Sequence, residues 1–360
     1  MSCWYGGGEA ACSVTVCSQG PRRWSQRNSP LGRTSSRLTT ARWRRSSSYH
    51  PSEMLLVVCP NLCLDRVVVV RGFAPGRVQR AESVEELASG KGLNVARAAR
   101  ALGLHVGVVG MVGDGPAAQS ILRGARAHGV RLHAIRVVGP VRVCTLIIDP
   151  GQPETVINEP GPEVGTREVG RLQRRVRTAL KGALAVVLAG SLPPGVPPSL
   201  YAEVIRQAPG IPTILDATGE ALRLGLAARP FVVKVNQLEL QEVAGRSLET
   251  LHDVGQAASQ LLPSVGGGVL ITLGARGALL STTGGSWHIV PPEVERVNTI
   301  GAGDSLTAGL VAGMIRGLPL LEATRLGMAA AAADVATLLP GKVDPSTVDR
   351  LAPEVGVEVL

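Results

Sequence analysis

From Met54 onward, short apolar runs of strand-like composition alternate with longer stretches of helical periodicity. Strands separated by helices return parallel to one another, and a parallel sheet must be covered on both faces. The fold class expected is therefore α/β. Strands are expected at Leu55 to Val58, Val106 to Met111, Ala185 to Ala189, Thr213 to Leu215, Phe231 to Val235 and Val269 to Leu273. Helices are expected at Leu93 to Leu102, Ala117 to His128, Arg167 to Leu180, Ser199 to Gln207, Leu251 to Leu262, Ser305 to Ile315 and Leu321 to Leu338. Two regions, Val67 to Glu86 and Arg142 to Asn158, break the alternation because strand-like runs follow one another there without a helix. They are expected to form a small separate sheet, which over one edge of the main sheet would make a lid excluding water from a reacting group.

The charge is concentrated at one end. Residues 1–53 hold eight arginines against Glu9 and Glu53, a balance of +6 within the formal +9 of the chain. This Ser/Arg/Gly tract lacks apolar periodicity, so the basic total is no argument for a nucleic-acid partner. It reads as a disordered basic extension or as sequence ahead of the true start at Met54, with a transit peptide and a basic tail touching nucleic acid or membrane as the other readings. Residues 54–360 then form the folded domain. No apolar run has the length of a membrane span, and a cytosolic location is expected. Cys59, Cys63 and Cys144 show neither CxxC spacing nor a partner histidine cluster, so neither zinc nor a disulfide is expected, and Cys59 and Cys63 are expected to be small buried apolar residues.

Two glycine-rich turns carry the chemistry. In Asn298-Thr299-Ile300-Gly301-Ala302-Gly303-Asp304-Ser305 the glycines precede a buried apolar helix. The unpaired amides at its amino end attract anions, and Asp304 stands where it could take a proton from an attacking hydroxyl. The other reading of Asp304 is a plain helix cap. In Ala88-Ser89-Gly90-Lys91-Gly92-Leu93-Asn94, Lys91 offers a point charge for a phosphate and Asn94 both a donor and an acceptor for hydroxyls, or the segment is simply a helix-entry turn. Neither GxxxxGK[ST] nor a GxGxxG following a strand occurs, which argues against P-loop kinases and dinucleotide oxidoreductases.

Gly90 to Ala96 and Asn298 to Ser305, in that order, resemble the two signatures of the ribokinase-like PfkB carbohydrate kinases. Asn61-Leu62-Cys63-Leu64-Asp65, Leu188 to Gly195 and Lys234 to Glu239 are similar to segments of the members that act on hexose phosphates, the 1-phosphofructokinases and tagatose-6-phosphate kinases. The resemblance implies a doubly wound α/β sandwich, a β-sheet lid built from segments near 64–87 and 142–158, dimerisation through that lid, and ATP with Mg²⁺ as cofactors.

Residue by residue, it implies that Asp304 is the catalytic base and that Gly301, Ala302 and Gly303 form its anion hole. Asp65, Gly90, Lys91, Gly92 and Asn94 would hold the sugar. Arg142 would grip the phosphate already on the substrate, with Ser191 adding a hydroxyl, while Arg136 is a solvated charge. Asn236 and Glu239 would act on Mg²⁺ through water, and Lys234, Thr272, Gly274 and Gly277 would line the nucleotide. Val235 replaces the proline usual before that asparagine, and Asn298 stands where many members have Asp or Ser. The expected reaction is ATP-dependent phosphorylation of a ketohexose phosphate, fructose 1-phosphate ahead of fructose 6-phosphate or tagatose 6-phosphate. A kinase of an unphosphorylated sugar or nucleoside and a non-catalytic sugar-phosphate sensor are the alternatives.

Overall fold

In the computed structural model the chain is described from residue 54 to residue 360. The readings of residues 1–53, including their disorder and their cysteines, lie outside the described residues.

The first half of the domain runs β1 (Met54–Asn61), β2 (Cys63–Val69), β3 (Ser83–Ser89), α1 (Lys91–Ala101), β4 (Val106–Asp114), α2 (Gly115–Ala127), β5 (Arg131–Pro140), β6 (Arg142–Ile148), β7 (Thr155–Asn158) and α3 (Thr166–Leu180). It continues through β8 (Ala183–Ala189), α4 (Leu200–Arg206), β9 (Thr213–Asp216), α5 (Gly219–Ala227), β10 (Val232–Asn236), α6 (Gln237–Ala244), α7 (Leu251–Leu261) and β11 (Gly268–Thr272). The last part holds β12 (Ala278–Thr282), β13 (Gly285–Val290), α8 (Ala302–Ile315), α9 (Leu320–Val335), α10 (Pro345–Leu351) and β14 (Gly356–Val359).

Ten strands form one sheet in the order β14-β13-β12-β11-β10-β9-β8-β1-β4-β5. From β11 to β5 every pairing is parallel, and β12, β13 and β14 add an antiparallel edge. Period-two alternation divides each central strand between two apolar layers: Leu55, Val57 and Cys59 of β1 join the layer with α1, α8 and α9, whereas Leu56 and Val58 join that with α3, α4 and α7. The chain leaves β1 first toward β4 and β5 and later returns to its other side at β8. This reversal opens a crevice at the carboxyl ends of β1 and β8, the place where open α/β sheets bind ligands.

Helices α8 and α9 pack with their backbones nearly touching, since a Cβ on Gly309 would lie 2.7 Å from the Gly327 Cα. That contact leaves α8 buried along most of its length and fixes its amino end over the crevice.

The segments that broke the alternation supply β2, β3, β6 and β7, which form a separate four-stranded sheet in the order β3-β2-β6-β7. Strand β2 leaves β1 after one residue, so Asp65 and the carboxyl end of β1 are held close to one another.

The strand at Arg131–Pro140 and the antiparallel edge were not among the expected elements. His133 and Arg136 interrupt the apolar signal of β5, and β12 to β14 are short hairpin strands whose pairing comes from their neighbours. Helix α1 begins at Lys91 instead of Leu93, so Lys91 and Gly92 belong to its first turn and not to a loop before it. Helix α9 stops at Val335, earlier than the expected Leu338.

Candidate active site

Gly301, with φ 95°, is the amino cap of α8, which puts Asp304 in the helix's first turn instead of at its cap. The backbone amide of Asp304 returns to the Gly301 carbonyl at 2.9 Å, and that of Ala302 reaches the Thr299 carbonyl at 3.3 Å. The Asp304 side chain makes no capping bond. Its Oδ2 instead accepts from Nδ2 of Asn94 on α1 at 2.9 Å. The plain-cap reading of Asp304 therefore does not describe its geometry.

A polar relay continues from there. Ser89 Oγ lies 2.9 Å from Asn94 Oδ1 and 2.5 Å from Asp65 Oδ2, so its single proton serves one of the two acceptors at a time. The thiol of Cys63 donates to Asp65 Oδ1 at 3.1 Å. Two glycine-rich turns far apart in sequence and the first strand of the small sheet thus meet in one buried row, Asp304, Asn94, Ser89 and Asp65. Arg97 closes it from behind, donating to Asn94 Oδ1 at 3.2 Å and to the carbonyls of Ala88 and Pro340.

Beneath Asp304 lies a second group. Asp216, fully buried at the end of β9, accepts from Nζ of Lys91 and from Nζ of Lys234, each at 2.7 Å. Burial alone would raise its carboxyl, but the two ammonium groups outweigh that and hold it at about 2. One carboxylate between two lysines leaves a net positive charge at the floor of the crevice. A Cβ on Gly303 would come within 3.0 Å of the Lys234 ammonium, so the glycine keeps that cation beside the amino end of α8. Burial lifts the Asp304 carboxyl to about 6, Asp216 adds to the lift, and Lys234, Lys91 and the Asn94 hydrogen bond oppose it. A carboxylate poised near that value is mostly ionised at neutral pH while remaining basic enough to accept a proton. Burial also raises Asp65 above its usual range, against the hydrogen bonds from Ser89 and Cys63 and the charges of Arg97 and Arg142.

The remaining candidates fall into two groups. Arg142 opens β6 and donates through Nη2 to the Asn61 carbonyl at 3.0 Å, and Nδ2 of Asn61 donates to Ser191 Oγ at 3.0 Å. Arg142 and Ser191 are thus gathered around the end of β1. Arg142 Nε and Asn61 Oδ1 are buried without a protein partner. Asn236 and Glu239 close a capping box on α6, each side chain 2.8 Å from the other's backbone nitrogen. Thr272 pairs with Asn236 across β10 and β11. Gly274, φ 62°, has open space where a Cβ would stand, whereas a Cβ on Gly277 would lie 2.1 Å from the Ile289 carbonyl. Gly277 therefore admits the passing strand β13. Gly92 likewise faces the sheet, since its Cβ would lie 2.2 Å from that of Cys59. Its demand is helix packing; Gly90, φ 99°, is the glycine that caps α1. Asn298 is buried and spans its own loop, donating to the Leu338 carbonyl at 2.7 Å and accepting from the Ile300 amide at 2.9 Å.

Residues 54–344 match the pfkB family carbohydrate kinases. The chain belongs to that family. It is accordingly a phosphotransferase with an alcohol group as acceptor. Among its relatives, the 1-phosphofructokinase of Rhodobacter capsulatus is 34% identical over 310 residues, covering 85% of this chain and 98% of that protein. The Escherichia coli phosphofructokinase-2 structure in complex with substrates and products superposes with a TM-score of 0.77 at 26% identity, covering 84% and 99%. Arabidopsis thaliana ribokinase complexed with ribose and ATP superposes at 0.67 and 25% identity, covering 83% and 99%. The ribokinase-like α/β sandwich expected from the two signatures is the fold of this carbohydrate kinase.

Asp216, Ser89, Arg97 and Asp334 escaped the sequence reading. Asp216 had a usable signal, a lone charge at the carboxyl end of an apolar parallel strand, where Asn236 also stands. Ser89 lay inside the glycine-rich segment but looked like a turn residue. No helix among the described residues is long and apolar enough to cross a membrane.

Proposed function

We propose that the protein transfers the γ-phosphoryl group of ATP to a ketohexose phosphate, with fructose 1-phosphate giving fructose 1,6-bisphosphate as the preferred reaction. The observation that carries this reading is the buried row from Asp304 to Asp65, with the Arg142 guanidinium at the sugar end and the Lys91–Asp216–Lys234 group at the phosphoryl end. Several relatives named 1-phosphofructokinase, including those of Rhodobacter capsulatus and Bacillus subtilis, favour fructose 1-phosphate.

Asp304 takes the proton of the attacking hydroxyl, and its environment keeps it ionised without making it a weak base. Asn94 orients that carboxylate through Nδ2. Asp65 accepts from sugar hydroxyls, and Arg142 with Ser191 receives the phosphate the sugar already carries, where the guanidinium fork matches a phosphate's paired oxygens. Lys234 and the amino end of α8 stabilise charge on the group in transfer. The residues present fit Mg²⁺ and ATP: Asn236 and Glu239 offer oxygen ligands, Gly274 is open, and Gly303 gives onto a lysine. Bound there, Mg-ATP supplies the phosphoryl group and screens its charge.

A coupled ADP-release assay with fructose 1-phosphate, fructose 6-phosphate, tagatose 6-phosphate, fructose and ribose tests the reading. Fructose 1-phosphate is expected to give the highest kcat/KM. Equal turnover of fructose and its phosphates would remove the phosphate-binding role, and no ADP with any of the five would overturn the proposal.

A further inference from the structure

The small sheet brings together three soft and hard donors that no sequence spacing groups. Strands β2 and β6 pair in parallel with Cys63 opposite Arg142 and Asp65 opposite Cys144. Residues two apart on a strand share a face, so Cys63, Asp65 and Cys144 point to the same side. Their Sγ, carboxylate oxygen and Sγ atoms all lie within 4.8 Å of one another, and the three residues are only 2%, 5% and 3% exposed. A tetrahedral ion with metal–sulfur bonds of about 2.3 Å holds its ligands roughly 3.7 Å apart, a contraction that side-chain rotation supplies.

We propose that Cys63, Cys144 and Asp65 form a site for a thiophilic divalent cation of the zinc class, whose occupation competes with the sugar phosphate. The ligand chemistry selects the ion. Thiolates prefer zinc-like cations and are poor ligands for Mg²⁺, whose oxygen donors Asn236 and Glu239 stand on other elements. Charge balances at a buried position: two thiolates and one carboxylate face the divalent ion and the Arg142 guanidinium, which already lies beside this cluster. Binding forms two metal–sulfur bonds and one metal–oxygen bond in place of metal–water bonds, and the two thiol protons leave to solvent with the displaced waters. Three protein ligands leave the fourth tetrahedral position to a water carried in with the ion.

Competition follows from the shared ligand. Asp65 is the residue read as holding sugar hydroxyls, so an ion on its Oδ1 removes an acceptor, and the net negative charge of two thiolates and a carboxylate around a divalent ion holds the neighbouring guanidinium that an incoming phosphate would need. This consequence rests on the functional reading above; uptake of the ion by the two thiols does not.

The test uses the full chain, reduced, with Cys3, Cys12 and Cys17 replaced by Ser so that the remaining thiols are Cys59, Cys63 and Cys144. Cd²⁺ is titrated while the ultraviolet thiolate-to-cadmium band is followed, with and without fructose 1-phosphate, in this background and in Cys63→Ser and Cys144→Ser, with Cys144→Ala as a second variant. One ion per chain is expected, weakened at least tenfold by each substitution, and displaced by the sugar phosphate. In the ADP assay Zn²⁺ should raise the apparent KM for the sugar phosphate and leave that for ATP unchanged. Equal Cd²⁺ uptake in all variants would overturn the site. Cysteine-dependent uptake indifferent to sugar phosphate would overturn the competition, and inhibition competitive with ATP would do the same. Should none of the five sugars be turned over, the functional reading fails while the Cd²⁺ titration still decides the site.

Discussion

Asp216 Oδ2 accepts from the Lys234 ammonium at 2.7 Å in a position with no solvent exposure, and its other oxygen accepts equally closely from Lys91. The pairing binds β9, β10 and the first turn of α1 at the crevice floor, so one carboxylate compensates two cations from different elements. Removing it strands both charges. Asp216→Ala is expected to lower unfolding stability by about 3–5 kcal/mol, the range for breaking one side of a buried pair. Asp216→Asn separates electrostatics from packing. Because the Asp216 charge raises the Asp304 carboxyl, the amide should move the acid limb of the kcat profile to lower pH. An unmoved or higher limb would show that Asp304 does not feel this group.

The acid limb itself is expected to report Asp304, the proposed base. Its carboxyl stands at about 6, and only the ionised form accepts a proton, so kcat should rise with pH through that value and level off above it. Asp304→Asn should keep sugar-phosphate binding and lose turnover by roughly 10²-fold or more. Near-normal turnover in that variant would remove the base assignment.

Several residues that the fold gathers here, Asp304, Asn94 and Asp65 among them, stand out in the sequence, and the reasons are local. Gly301 and Gly303 before a buried helix announce a glycine-capped helix end, the kind of end that attracts anions, and the central strands are read from their apolar runs. The pairing of Asp216 was not legible, because a single carboxylate closing a four-residue strand marks its own position but shows neither of its lysine partners, which come from residues 91 and 234. The Cys63–Asp65–Cys144 grouping was hidden for the same reason. It exists only through the pairing of β2 with β6. The edge strands β13 and β14 were missed because their neighbours, more than their own residues, decide their conformation.

Arg142 reaches the carboxyl end of β1 through one hydrogen bond to the Asn61 carbonyl, and its Nε is buried without a protein partner. A guanidinium held this way can present a fork to a phosphate, which an ammonium cannot reproduce. Arg142→Ala should raise KM for fructose 1-phosphate at least tenfold, consistent with about 1.5–3 kcal/mol for hydrogen bonds to a charged group. Arg142→Lys should recover little of it. An unchanged KM in Arg142→Ala would dismiss the phosphorylated substrate.

Glu239 has two demands on one side chain. It closes the capping box of α6 through the Asn236 amide, and it is read as a ligand for Mg²⁺ through water. Glutamine satisfies the first and not the charge required by the second. Glu239→Gln should therefore keep the melting temperature and raise the Mg²⁺ concentration for half-maximal turnover, whereas Glu239→Ala should also cost about 1 kcal/mol of stability. If Glu239→Gln left the Mg²⁺ requirement unaltered, the residue would be a cap alone.

Asp334, on α9, stands directly behind the turn that opens α8: a Cβ on Gly301 would lie 3.1 Å from its Oδ2. That oxygen accepts from Ser305 Oγ at 3.0 Å, while Oδ1 is buried without a partner. Burial pushes the carboxyl up to about 7, opposed by hydrogen bonds from Gly341 and Ser305 and reinforced by the charge of Asp304. A folded-state value above the unfolded one means that the protonated form favours the fold. The stability it provides is complete below about pH 4 and is lost as pH rises toward 7. Asn keeps an acceptor for Ser305, places an NH₂ where Oδ1 lacks a partner, and does not titrate. Melting curves of the wild type and Asp334→Asn between about pH 5 and 8 should diverge with rising pH, the variant gaining relative to the wild type until the carboxyl is fully ionised. Curves that stay parallel across that interval would mean that Asp334 is already ionised within the fold at the acid end.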